Sequence, residues 1–261
     1  MRTVYAVGAG VRGIKQLTLE SISILSKVDK VLFFPFETIT SDWLHDKLKL
    51  KNVESLANLY VDGDTDWNNY DRVTKHIIEN AANYQEIAVL MPGHPRLGVS
   101  WIKKLNNIKN KYKIDLVCIE GISSFDTMFN DMSKDPLDQG SVLIDVNRML
   151  LYELIIEPRM DYYFYHICST GNTKTNFNNP SLGNNLDLLK NYLLKFYENE
   201  HEIILIESKR KNSQNSIAYK TTVENISDLK DHISVATSLF IPGIKEERTS
   251  ETFSTLLKKS V

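Results

Sequence analysis

The chain has 261 residues, 42% apolar and 25% charged, with a formal net charge of -2 and an isoelectric point near 6.3. That is enough for one large core or two modest ones, and no long block of Lys or Arg marks a phosphate-backbone footprint, so nucleic acid is not expected as a partner. Two cysteines, Cys118 and Cys168, each inside an apolar run, exclude a disulfide framework and fit buried free thiols in a reducing cytoplasm.

Met1 and Arg2 lead into an apolar run too short for a signal segment, and no stretch approaches a membrane span, so a cytoplasmic location away from the membrane is expected. In chain order the pattern predicts a strand near 3–7, a helix near 18–27, a strand near 30–34, a helix near 68–83, a strand near 86–91, a helix near 99–109 and a strand near 114–118. Strand, helix, strand at this spacing implies right-handed parallel crossovers. Beyond residue 119 the character changes. "SVLIDV" (141–146), "DYYFYHICS" (161–169), "EIILIES" (202–208), "SIAYKTTV" (216–223) and "ISVATSLFIP" (233–242) are β-branched or aromatic runs. They predict a mixed sheet, with helices near 184–198 and 250–259. The Asn-rich 169–185 segment reads as a surface loop, and "KRK" at 209–211 as a solvated one. The fold class is therefore α/β in two domains: 1–119 with a largely parallel sheet, 120–245 with a mixed sheet, and a C-terminal helix over 246–261.

Gly8, Gly10 and Gly13 spell G-x-G-x-x-G after the first strand, the outline of a dinucleotide fingerprint. A dinucleotide loop needs the helix to start inside the glycine cluster, so that its N–H groups meet the pyrophosphate. Here the apolar period Leu19, Ile22, Leu25, Val28 makes Thr18 the natural cap, about five residues too late. The acidic residue that would hold a ribose is also misplaced, since Asp29 precedes the second strand and Glu37 lies past "FPF".

Three further segments have binding character. "VLMPGHP" (89–95) ends a strand in a turn at the carboxyl edge of the sheet, where open α/β folds bind ligands. "EGISSFDTMFNDMSKDP" (120–136) sets a glycine and two serines ahead of an amphipathic helix. "ATSLFIP" (236–242) ends another strand-like run with two adjacent hydroxyls.

With the glycine loop, these motifs in this order resemble the tetrapyrrole methylase superfamily, S-adenosylmethionine-dependent methyltransferases with the cofactor in a cleft between two α/β domains. The resemblance covers nearly the whole chain. Within the superfamily, "VRGIKQLTLE" and "GISSFDTMFNDMSKDPLDQG" look most like the borosin α-N-methyltransferases, which methylate peptide backbone amides. By that resemblance the cofactor lies against Pro92, Gly93, Pro95, Leu97, Val99, Ser123, Ser124, His166, Thr237 and Ser238. The family's pair of tyrosines corresponds to Tyr60 and Tyr70. Its arginine position holds Asp66, and its tyrosine before the Gly-His-Pro turn is Pro92. Arg72 is close in sequence, but its helical offset turns it away.

The candidate catalytic residues are Tyr60, Tyr70, Asp66 and Arg12, the last read as facing the substrate. The competing reading packs the tyrosines on a helix face with their hydroxyls at the surface. Methyl transfer from a sulfonium is an in-line displacement needing no metal, and His94, His166, Cys118 and Cys168 lack paired ligand spacing, so no metal is expected. His94 is read as a turn-stabilising side chain. The resemblance implies a precursor peptide as substrate, arriving on another chain because this one stops at "LLKKSV", and a homodimer, for which "MLLYELI" (149–155) is the apolar candidate surface. Two alternatives stand beside this reading: another tetrapyrrole or small-molecule methylase, and a catalytically weakened binding module of the same fold.

Overall fold

The computed structural model describes residues 2–36, 39–174, 176–209, 215–245 and 250–258. The basic 209–211 loop and the ends of the expected 246–261 helix lie partly outside them, and Glu37 lies wholly outside. Strands β1 (Arg2–Gly8), β2 (Lys30–Phe33), β3 (Val53–Ser55), β4 (Glu86–Met91) and β5 (Ile114–Ile119) form one all-parallel sheet in the order β3-β2-β4-β1-β5. Both of its faces are covered, which is why its strands read as near-continuous apolar runs. Helices α1 (Leu19–Leu25) and α2 (Ser41–Leu48) supply Leu25 and Leu44 to a core that includes Val7, Phe33 and Leu90. Helices α3 (Asp66–Asn83) and α4 (Ser100–Tyr112) supply Val73, Ile77, Trp101 and Leu105 to the opposite core with Val4, Ile87 and Val89. The odd-even division within β1 and β4 is the period-two alternation of a strand.

The second sheet is mixed, in the order β6-β7-β10-β8-β9, built from β6 (Ser141–Asp145), β7 (Asp161–Tyr165), β8 (Glu202–Glu207), β9 (Ile217–Thr222) and β10 (Thr237–Ile241). Only β6 and β7 run parallel. On one face α6 (Val146–Leu151) and α7 (Leu186–Leu193) bury Met149, Leu189 and Leu193 against Phe164, Leu205 and Leu239. On the other, α5 (Ser124–Asp131) places Met128 and Phe125 against Tyr163, Ile206 and Phe240. The chain's described residues end with the amphipathic α8 (Glu251–Lys258). No helix among the described residues is long and apolar enough to cross a membrane.

Several elements differ from the sequence expectation. Both α2 and β3 fall in a stretch read as connection: α2 fully buries only Leu44, and β3 is a three-residue edge strand, too little periodicity to register. The 161–169 run leaves the sheet at Tyr165 because His166 adopts φ 59° and a 3-10 turn follows. The 233–242 run is strand only from Thr237, after a 3-10 segment at Ile226–His232. Thr18 caps α1 as expected, its hydroxyl accepting from the Ser21 N–H at 3.0 Å.

Candidate functional site

The glycine loop commits three of its N–H donors to the protein. Ala9 N–H donates to the Met91 carbonyl at 2.8 Å, and Gly10 and Gly93 exchange N–H···O=C bonds at 3.3 and 3.0 Å. Arg12 N–H donates to Gln16 Oε1 at 2.8 Å. Gly10 holds φ +73°, and a β-carbon there would fall 2.4 Å from the Gln16 side chain, so only glycine fits this conformation and this space. A pyrophosphate finds no cradle in such a loop, and the dinucleotide reading ends with it. The loop is instead a wall, zipped to the Pro92–Pro95 turn.

Two adjoining chambers lie along that wall. The smaller, about 300 Å³, is lined by Val11, Pro92, Gly93, His94 and Leu97 on the parallel-sheet side and by Ser124, Tyr165, His166, Ser208, Thr237 and Ser238 on the mixed-sheet side. A β-carbon on Gly93 would meet nothing within 4 Å, so its bare backbone faces open space. Ser124 Oγ and the Tyr165 hydroxyl are 2.9 Å apart. His166 Nδ1 pairs with the Asp145 carboxylate, while its Nε2 lies 3.2 Å from the position a β-carbon on Gly98 would occupy. Burial pushes the Asp145 carboxyl up, but the bonds from His166 and from the Arg148 and Asn147 N–H groups outweigh it and hold the group below its ordinary value. The larger chamber, about 550 Å³, is aromatic, with Phe34, Phe36, Tyr60, Tyr70, Trp101 and Phe177 in its wall. The chambers share Phe36, Pro92 and Val235.

Tyr60 and Tyr70 are brought together by the Leu56–Tyr60 turn and the first helical turns of α3. Their ring centroids are 5.8 Å apart, edge to face, and their hydroxyls are hydrogen-bonded. They are half-buried in the chamber wall, so the surface-hydroxyl reading does not hold. Burial, then the neighbouring phenol and Asp66, push the Tyr60 hydroxyl far above its usual range. Tyr70 is also raised, chiefly by burial, with Asp66 adding to the shift against the Tyr60 and Ser100 hydrogen bonds. Both phenols, which are neutral near pH 7 even at their ordinary value, are held more firmly so and can act as donors. Arg72 is committed to structure: it donates to the Leu59 carbonyl at 3.0 Å and the Asp64 carboxylate at 2.7 Å, and also reaches Asn69.

A family model described as tetrapyrrole (corrin/porphyrin) methylases matches residues 3–208. The chain belongs to the tetrapyrrole methylase family. Methyl transfer from S-adenosylmethionine is the chemistry of that family. Among curated methylase relatives, a methyltransferase and ribosomally synthesized cyclic peptide gymnopeptides precursor from Gymnopus fusipes is 24% identical over 241 residues, covering 90% of this chain and 56% of the relative. A methyltransferase and type I borosin cyclic peptide precursor from Cerrena unicolor is 20% identical, covering 90% of this chain and 57% of that one. The chain thus spans about half the length of the curated relatives it matches. Among solved methylases, uroporphyrin-III-C-methyltransferase from Thermus thermophilus superposes with a TM-score of 0.63 at 16% identity, covering 93% of this chain and 92% of that one. The same enzyme complexed with S-adenyl homocysteine also gives 0.63, at 12% identity, over 93% of this chain and 97% of that one. The methyltransferase CobJ gives 0.62 at 14% identity, over 96% and 98%.

Within this methylase fold, the residues expected to hold the cofactor divide. Pro92, Gly93, Leu97, Ser124, His166, Thr237 and Ser238 line the smaller chamber, while Val99 lines the larger and Pro92 both. Pro95 is buried and absent from both linings. Ser123 caps α5, with its N–H and hydroxyl both bound to Asp126 at 2.7 and 2.6 Å. Arg12 and Asp66 line neither chamber, although Val11 and the tyrosines beside them do. His94 stabilises its turn, as expected, accepting from the Arg96 N–H at 3.1 Å. Sequence reasoning missed Tyr165, Ser208 and Val235 in the smaller chamber, Asp145 behind His166, and Phe177 in the larger. Tyr165 and Ser208 sit at strand ends on the edge already singled out at Thr237, a signal that was readable. Phe177 lies in the Asn-rich segment, where nothing local separates a chamber wall from a solvated loop.

Proposed function

We propose that the protein methylates backbone amides of a peptide supplied on a separate chain, using S-adenosylmethionine. The observation that carries this reading is the pair of adjoining chambers: one lined by hydroxyls and bare backbone, the other aromatic, with no Lys or Arg among the described lining residues of either. A tetrapyrrole acceptor brings several carboxylates, which want cationic partners. A neutral amide does not. The curated relatives carry peptide precursors in their names, which supports the same choice.

The smaller chamber fits the cofactor by volume, which lies at the low end for ligand pockets, and by Gly93, whose backbone is open to a ligand. Gly93 and Leu97 would hold it from one side, and Ser124, His166, Thr237 and Ser238 from the other. When bound, it supplies an electrophilic methyl group for in-line displacement. The chain's own task is to bring the amide nitrogen to that methyl at the shared boundary of Phe36, Pro92 and Val235, and to manage one proton. The neutral Tyr60 and Tyr70 hydroxyls donate to the amide oxygen, where negative charge grows as the N–H proton is lost. That proton is taken up by the Asp66 carboxylate, whose charge both phenols feel, while the phenols keep their own protons for the amide oxygen. Arg12 faces the outer end of the acceptor. A second copy of the chain covers the 149–155 surface.

The test is incubation with isotopically labelled S-adenosylmethionine and the candidate peptide, followed by mass spectrometry locating any label on backbone or side chain. Backbone label supports the proposal. Label entering only a porphyrinogen supplied in parallel overturns it in favour of tetrapyrrole methylation. Tight binding of S-adenosylhomocysteine with no turnover of either overturns it in favour of a binding module.

A further inference from the structure

The Asn-rich segment is expected from sequence to be a surface loop, yet it is bonded across more than a hundred residues of sequence to the tyrosine-bearing turn. Asp62 Oδ1 accepts from the Phe177 N–H at 2.6 Å, and Asp62 Oδ2 accepts from the Asn178 N–H at 3.2 Å and from Asn178 Nδ2 at 2.7 Å. Asp66 N–H donates to the Thr173 carbonyl at 3.0 Å, and Thr65 bridges to Lys174. Both ends of this clamp are themselves braced. Asn147 donates to the Ser169 and Asn172 carbonyls at 2.7 and 3.2 Å and accepts from the Gly171 N–H at 2.7 Å, fixing the base of the segment. On the other side Asn69, fully buried, accepts from the Val61 N–H at 2.8 Å, and Arg72 ties Asp64 to the same helix. The outcome is an edge-to-face contact of Phe177 on Tyr60, centroids 5.4 Å apart, with the Phe177 ring in the chamber wall and still 46% exposed.

A carboxylate holding three N–H groups is a costly arrangement to preserve at an exposed turn unless the geometry beyond it matters. What lies beyond is one aromatic ring set against Tyr60. We infer that Phe177 is a specificity-determining residue for the acceptor and Asp62 its positioning residue, together selecting a peptide with an apolar side chain beside the methylated amide. This rests on the peptide reading above. The ring offers an apolar face at the chamber wall, and the described residues of the wall around it offer no cation to an acidic side chain. A half-exposed ring held by its own backbone N–H, rather than by core packing, gains burial when an apolar group docks on it.

The experiment compares wild type, Phe177→Ala, Phe177→Tyr and Asp62→Ala on two capped acceptor peptides, one valine-rich and one glutamate-rich, with S-adenosylhomocysteine affinity measured by calorimetry as the check on folding. Wild type is expected to favour the valine-rich peptide. Phe177→Ala and Asp62→Ala are expected to raise its KM about tenfold and erase the preference, with kcat within about twofold, the pattern of lost uniform binding. Phe177→Tyr, which keeps the ring, is expected to keep the preference. An unchanged preference in Phe177→Ala, with wild type active, overturns the inference alone. No methylation of either peptide by wild type overturns the peptide reading and this inference with it.

Discussion

Gly8 and Gly121 approach so closely that neither admits a β-carbon. One built on Gly121 would lie 2.7 Å from the Gly8 carbonyl carbon and 2.4 Å from the Gly93 carbonyl oxygen, and one on Gly8 would lie 2.8 Å from the Gly121 nitrogen. All of these neighbours are backbone, so no side chain can yield. Gly121→Ala is expected to cost about 1–3 kcal/mol, the range for overpacking, and to lower the melting temperature by several degrees in a thermal scan. A variant melting with the wild type would show that these chain segments can part without cost.

Removing a single phenol oxygen tests the donor role of the tyrosines. Tyr70→Phe keeps the ring packing against Tyr60 and deletes one hydroxyl. Peptide methylation is expected to fall on the order of 10²-fold, the loss typical of one donor to a developing oxyanion, with S-adenosylhomocysteine affinity unchanged. Full activity in single-turnover assays would remove the phenol pair from the chemistry.

The Asp145 carboxylate, held below its ordinary value by His166 and the α6 N–H groups, gives a pH dependence with a definite sign. A carboxylate depressed in the fold contributes stability that is fully present above its unfolded value of about 3.9 and is lost as pH falls through the folded one. Melting temperatures of the wild type should drop as acid is added below about pH 4, and Asp145→Asn should flatten that part of the profile. Parallel curves would assign the acid sensitivity elsewhere.

Burial pushes the Cys168 thiol up to about 11, and the residue is buried in the core of the mixed-sheet half. Thiolate, not thiol, is the nucleophile. Native protein treated with iodoacetamide at neutral pH is expected to leave Cys168 unmodified in peptide mapping, with labelling appearing after denaturation.

The 149–155 surface is divided. Met149 is fully buried, whereas Leu151 is 73% and Ile155 87% exposed, beside an open groove of about 590 Å³ lined by Leu150, Leu188 and Tyr192. If a second copy covers this face, Ile155→Asp places a charge in an apolar interface. Sedimentation velocity should then show a dimer for the wild type and a monomer for the variant. A wild-type monomer at micromolar concentration would dismiss the second copy.

What the sequence disclosed was local. Thr18 and Ser123 announce their helices because a hydroxyl before an apolar period has one common use. The parallel sheet is legible because burial on both faces leaves unbroken apolar runs. Helix α2 and strand β3 were silent, one burying Leu44 and little else, the other too short to alternate. In the aromatic chamber, Tyr60 and Tyr70 are singled out by resemblance, and both line its wall. The further rise of their hydroxyls above the ordinary phenol value follows from burial that only the assembled chamber supplies. Asp145 and His166, twenty-one residues apart, meet because β6 and β7 run side by side; neither carries a sign of the other in its own neighbourhood. Asp62 and Phe177 are further apart still.

The Asp62 clamp also divides ownership of the aromatic chamber. The parallel-sheet half contributes both tyrosines, and the mixed-sheet half contributes the ring that faces Tyr60. Neither half holds a finished chamber, so the proposed selectivity requires both sheets to be docked. On the proposed reading, selectivity would belong to the tertiary contact and to neither sheet alone, because that same contact sets Phe177 against Tyr60.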